Sequence, residues 1–110
     1  MSQVTTHVLD TARGRPAAGV PVALEHLSAG GRRAVATAET DADGRVGELG
    51  DDVLEPGRYA LVFDTGAYFA STCQTAFFPQ VTLVFDVAAA EHYHVPLLLS
   101  PFAFSSYRGS

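Results

Sequence analysis

The chain has 110 residues, 47% of them apolar and 17% charged, with a formal net charge of -5 at pH 7. That length suits one compact domain, read as residues 1–110, and the low charged fraction excludes a disordered chain while favouring self-association through surplus apolar surface. The seven Lys and Arg residues are dispersed apart from Arg32-Arg33, which excludes the concentrated basic footprint of a nucleic-acid binder.

Strand-like segments follow one another between Gly, Pro and Asp punctuation, the pattern of an all-β sandwich or barrel. The first, "QVTTHVLD", alternates and is broken by "DTARGRPAAG". In "VPVALEHL" the period of two puts Val20, Val22 and Leu24 on one face, and "SAGG" then turns the chain into the alanine-rich, weaker strand "RRAVATAET". "TDADGR" has the Asp and Gly chemistry of a turn, and "GELGDDVLEPG" reads as a longer polar connection. "RYALVFDT" and "VTLVFDV" alternate cleanly, with Tyr59, Leu61 and Phe63 on one side of the former and Val81, Leu83 and Phe85 on one side of the latter.

Between those two strands, Phe69, Cys73, Ala76 and Phe77 stand at helical spacing. Asp64 or Thr65 is available as N-cap and Pro79 as a stop, which predicts one short helix with Cys73 buried in it. "HYHVPLLLS" and "PFAFSSYRG" predict two further strands separated at Pro101, with Pro96 at an edge or strand start because it has no ladder donor. A single cysteine forms no internal disulfide, as suits a reducing compartment. Neither the opening "MSQVTTHVLD" nor any apolar run has the form of a signal peptide or a membrane span, so the expectation is a soluble, cytoplasmic protein without a membrane partner.

Nucleophile elbows, zinc-type cysteine spacing and phosphate-binding glycine loops are missing from the sequence. Asp41-Ala42-Asp43-Gly44 begins like a calcium loop but lacks its later ligands, and reads as a turn. The histidines carry more information, because imidazole takes and returns a proton near neutral pH. His7, on one strand face with Thr5 and Leu9, reads by itself as a hydrogen-bonded strand residue. His92 and His94 share a face at a spacing that suits chelation, though no third ligand stands near them; His26, near a turn, reads as solvated. Arg45 follows the Asp-Gly turn, where it is either a solvated residue or a fixed fork of donors for an anion. Tyr107, Arg108, Gly109 and Ser110 gather stacking, charge and hydroxyl groups at one point.

Taken together, "TTHVLDTARGRPAAGVPV", "TDADGR", "GRYALVFDTGAYF", "FFPQVTLVFDV" and "HYHVPLLLSPFAFSSYRGS" resemble the transthyretin-related 5-hydroxyisourate hydrolases over essentially the whole chain. The Tyr-Arg-Gly-Ser segment is the family's signature. The chain departs from it mildly, with Phe102 and Phe104 where tyrosine or another aromatic is frequent and Ser106 where threonine is frequent. The resemblance implies a transthyretin-like β-sandwich of two four-stranded sheets with one short helix, assembled as a homotetramer, a dimer of dimers, with sites at the dimer-dimer interface.

It further implies hydrolysis of a ring amide of 5-hydroxyisourate, a product of urate oxidation, to 2-oxo-4-hydroxy-4-carboxy-5-ureidoimidazoline. No metal and no organic cofactor would take part. By matching motif positions, His7, Arg45 and His94 form the implied catalytic group and Tyr107, Arg108, Gly109 and Ser110 the implied substrate-binding wall. Which histidine acts as base stays open. Transthyretin, a hormone carrier of the same fold, lacks the histidine pair, the turn arginine and the Tyr-Arg-Gly-Ser segment; a carrier of an aromatic small molecule is the alternative reading.

Overall fold

The computed structural model describes residues 2–88 and 90–110. Its elements are β1 (Val4–Asp10), β2 (Arg15–Pro16), β3 (Pro21–Ser28), β4 (Gly31–Glu39), β5 (Arg45–Val46), β6 (Gly57–Phe63), α1 (Thr65–Ser71), β7 (Val81–Val87), β8 (Tyr93–Ser100) and β9 (Ala103–Ser106). Alternating apolar residues bury one face of β1, β3, β6 and β8, while β4 only flanks the core with partly buried residues, and two such faces packed together make that core. One sheet has the order β4-β3-β6-β7, all antiparallel. The other runs β2-β1-β8-β9, with β5 also paired to β1.

Because β8 pairs with β1 along its full length, the short β2 and β5 both lie on the opposite edge of β1, one after the other. The expected four ranks are therefore present, with one rank divided in two. The β1 and β8 pairing is parallel, from Val4 opposite Tyr93 to Asp10 opposite Leu99. Val4 and Val8 of β1 meet Val22 and Leu24 of β3, Leu61 and Phe63 of β6, and Leu97 and Leu99 of β8 in one buried cluster. The alternation read from the sequence is thus the alternation that is buried.

Four expectations are corrected. The helix ends at Ser71, well short of Pro79, and Cys73 lies beyond it, exposed and with φ 55°. The cause is a Schellman closure: Gln74 N–H donates to the Phe69 carbonyl at 2.8 Å and Cys73 N–H to the Ala70 carbonyl at 3.2 Å, with the cysteine in the left-handed position usually given to glycine. Phe77, placed with Phe69 on the same helix by spacing, is exposed. Pro96 sits inside β8 between two neighbouring strands. It is tolerated because its backbone faces the β9 side one step beyond the last β9 rung at Leu97 and Ser106, where the Ser106 hydroxyl donates to the Pro96 carbonyl at 2.7 Å. His26 belongs to β3 rather than a turn, half-buried with its ring 4.7 Å from that of Tyr59.

Asp64 caps α1 as expected, accepting from Ala67 N–H at 3.0 Å. The helix is tied to β1 by a fully buried carboxylate, Asp10, which accepts from the Tyr68 hydroxyl at 2.7 Å, from Gln74 Nε2 at 3.2 Å and from Arg13 N–H at 3.0 Å. Among the described residues, no helix is long and apolar enough to cross a membrane.

Candidate active site

Since Val4 and Val8 of β1 and Tyr93, Val95 and Leu97 of β8 face the core, Thr5, His7, His94 and Pro96 face outward from the same sheet. Parallel register sets Thr5 beside His94, while β5 sets Arg45 opposite His7 on the other edge of β1. Three residues far apart in the chain, His7, Arg45 and His94, are thereby carried on one sheet face.

The turn before β5 fixes Arg45. Asp41 Oδ1 accepts from Asp43 N–H at 2.9 Å and from Arg45 N–H at 3.0 Å, and Gly44 takes φ 75°. A side chain at Gly44 has no room: its Cβ would stand 2.4 Å from the Val8 carbonyl oxygen. The same turn holds His7, whose Nε2–H donates to the Asp43 carbonyl at 3.0 Å. In neutral His7 the free lone pair is then on Nδ1.

His94 Nδ1 lies 2.8 Å from Thr5 Oγ1, and the same hydroxyl lies 2.9 Å from His92 Nε2. The two imidazoles are near parallel, 16° apart in plane with centroids at 6.4 Å. Gly109 N–H donates to the His94 carbonyl at 2.8 Å. A Cβ on Gly109 would meet His94 Cδ2 at 2.6 Å, so only glycine lets the chain lie flat against that ring. Thr5, Arg45, His92, His94 and Ser110 line a cleft of about 280 Å³.

Burial, reinforced by the charges of Arg45, His92 and His7, pushes the His94 imidazole below its ordinary value of 6.5. Its neutral form, able to accept a proton, is therefore the favoured one at and above pH 6.5. No group of three or more His, Cys, Asp or Glu suited to a metal occurs among the described residues. A larger hollow, about 650 Å³, lies on the opposite sheet, but Glu39 and Asp64 are its ionisable lining and it has no histidine or cation. Chemistry and cavity size thus point to different places, and the histidine cleft holds the groups that can act.

Not every expected site residue joins that cleft. Arg108 turns onto Glu91, with Nη2 at 2.8 Å from its carboxylate, and its guanidinium lies 4.5 Å from the centre of the Tyr93 ring. Tyr107, 60% exposed, borders a separate hollow between the β7 and β9 edges together with Arg108. Ser110 is the member of the Tyr-Arg-Gly-Ser group whose side reaches the cleft lining, and Gly109 is the one that packs on His94. Thr5 was not singled out from the sequence as part of the site. A threonine in a strand is ordinary, and its place between two histidines follows only from the register with β8.

A family model described as HIUase/Transthyretin family matches residues 4–109. The chain belongs to that family. It is 49% identical over 123 aligned positions to the Arabidopsis thaliana "Uric acid degradation bifunctional protein TTL", with 97% of this chain and 37% of that protein covered; the chain spans little more than a third of that relative. Proteins called 5-hydroxyisourate hydrolase from Salmonella, Mesorhizobium, Rhizobium and Pseudomonas are 42–48% identical, with 97–100% of this chain and 80–96% of theirs covered.

Among solved structures, the 5-hydroxyisourate hydrolase of Klebsiella pneumoniae matches with TM-score 0.88 and 36% identity, covering all of this chain and 94% of that one. Transthyretin from Sparus aurata matches with TM-score 0.89 and 31% identity over 99% of this chain and 97% of that one. Backbone likeness alone does not separate the two activities, and the decision falls to side chains.

Proposed function

We propose that this chain, acting as a single domain, hydrolyses 5-hydroxyisourate to 2-oxo-4-hydroxy-4-carboxy-5-ureidoimidazoline. The observation that carries the reading is the His94 imidazole lining one cleft with the Arg45 guanidinium and Ser110, where burial and the nearby positive charge favour its neutral form. Hydrolysis of a ring amide by water needs a base for the water and a fixed positive charge for the oxyanion. His94 serves as the base, through the ring nitrogen not engaged by Thr5, and Arg45 holds the electron-rich heterocycle and the charge growing on its carbonyl oxygen. His7, opposite Arg45 and held by the Asp43 carbonyl, steers the substrate through its bare Nδ1. A positioned base contributes about 10²–10⁴-fold and one oxyanion donor about 10²–10³-fold.

The cleft lies on the outward face of its sheet, and farther along that face, beyond His7 and Pro96, stand the partly buried Leu9 and Leu98. This supports a homotetramer in which two dimers meet across that face and close the site, with Tyr107 and Arg108 completing the wall of a neighbouring protomer's cleft. The test is the ultraviolet decay of 5-hydroxyisourate made in the cuvette from urate. Acceleration by the wild type and not by a folded His94→Ala variant is expected. Decay at the spontaneous rate with the wild type rejects the hydrolase and leaves ligand binding in a transthyretin-like carrier to be measured.

A further inference from the structure

One hydroxyl cannot donate to two rings. Thr5 Oγ1 stands within hydrogen-bond reach of both His94 Nδ1, at 2.8 Å, and His92 Nε2, at 2.9 Å, and carries a single proton. When that proton goes to one imidazole, the nitrogen of the other must bring its own. The two tautomers are thus coupled through Thr5, which is buried beneath the rings it joins.

We propose that Thr5 is a positioning residue that donates to His92 Nε2 and accepts from His94 Nδ1–H, and so fixes His94 in the tautomer whose bare Nε2 serves the cleft. This rests on the hydrolase reading, in which His94 takes a proton from water. The geometry also gives that proton a place to go. Once Nε2 is protonated, the Nδ1 proton moves to Thr5 Oγ1 as the hydroxyl proton moves to His92 Nε2. One proton enters at His94 and one is gained at His92, the hydroxyl is restored, and the positive charge has left the ring whose cationic form Arg45 disfavours. The reverse movement returns a proton to His94 for the departing nitrogen. His92, which the motif comparison left without a role, becomes the far half of a two-ring proton carrier.

Three single variants, one double variant and one spectrum test this. Thr5→Val keeps the shape and removes both hydrogen bonds; kcat is expected to fall about 10²-fold with KM held within about twofold. Thr5→Ser keeps the hydroxyl and should stay within about threefold of wild type. His92→Leu should lose about as much kcat as Thr5→Val, and the double variant no more than either, because the residues act as one unit. A Thr5→Val kcat near wild type, a Thr5→Ser loss equal to that of Thr5→Val, or multiplied losses in the double variant overturns the proposal.

The ring nitrogens are read separately by ¹⁵N spectroscopy of the free protein above neutral pH. Protonated Nδ1 and bare Nε2 on His94, lost in Thr5→Val, are expected. A proton on His94 Nε2 in the wild type overturns the assignment whatever the activity. A wild type that does not accelerate the decay removes the hydrolase reading instead, and the spectrum still decides the tautomer.

Discussion

At His94, burial and three neighbouring cationic or basic groups, Arg45, His92 and His7, all disfavour the imidazolium. The proton affinity is lowered, so the neutral base persists as the pH falls through 6.5 and is lost only below it. The acid limb of kcat/KM is accordingly expected to have its midpoint under 6.5; a midpoint above that value argues against His94 as the base. Asp10 shows the opposite balance. Burial raises its carboxyl, but hydrogen bonds from Tyr68, Arg13 N–H and Gln74, with the Arg13 charge, outweigh burial and leave it below 3.8. Its stabilising effect is present above that pH and fades as the pH falls through the lowered value. Tyr68 responds in the other sense, its hydroxyl pushed up to about 12 by burial and by the Asp10 carboxylate. Replacing Tyr68 by Phe leaves a buried carboxylate one donor short, and urea unfolding should register a loss of about 1–3 kcal/mol.

At the scale of elements, the site depends on a turn and a strand exit as much as on strands. The Asp41–Gly44 turn aims Arg45 and holds His7, while Gly109 lies against the face of His94. Gly109→Ala puts a methyl 2.6 Å from His94 Cδ2. The ring must move, and kcat should drop about 10²-fold with folding retained; unchanged kcat would show that the segment yields instead. The strands were legible because Val22, Leu24, Tyr59, Leu61 and Phe63 alternate and are buried. The end of α1 was not, since the left-handed position falls to Cys73 and gives no glycine signal. The turn was readable from Asp and Gly chemistry alone. The Thr5 bridge was hidden, because it is created by register between strands. The hold of Glu91 and Tyr93 on Arg108 is equally invisible in the sequence, because it joins the last residues to the entry of β8.

At the scale of the molecule, the exposed histidine face and the free Tyr107 favour function in an assembly. A charge placed on that face, as in Leu98→Glu, is expected to give a folded species of protomer mass with activity reduced to background. Full activity in a species shown to be monomeric by sedimentation removes the shared-site reading. One topological feature, the parallel pairing of β1 with β8, also governs when this site comes into being. The Thr5 and His94 partners are 89 positions apart in sequence, and contacts of such span pay their loop-closure entropy before they return any stability. While a ribosome is still adding residues 92–110, the β3-β4 hairpin already has both its strands, but His7 and Arg45 have no His94 beside them. The chain therefore acquires its scaffold before its chemistry, and any nascent fragment that escapes early is catalytically silent.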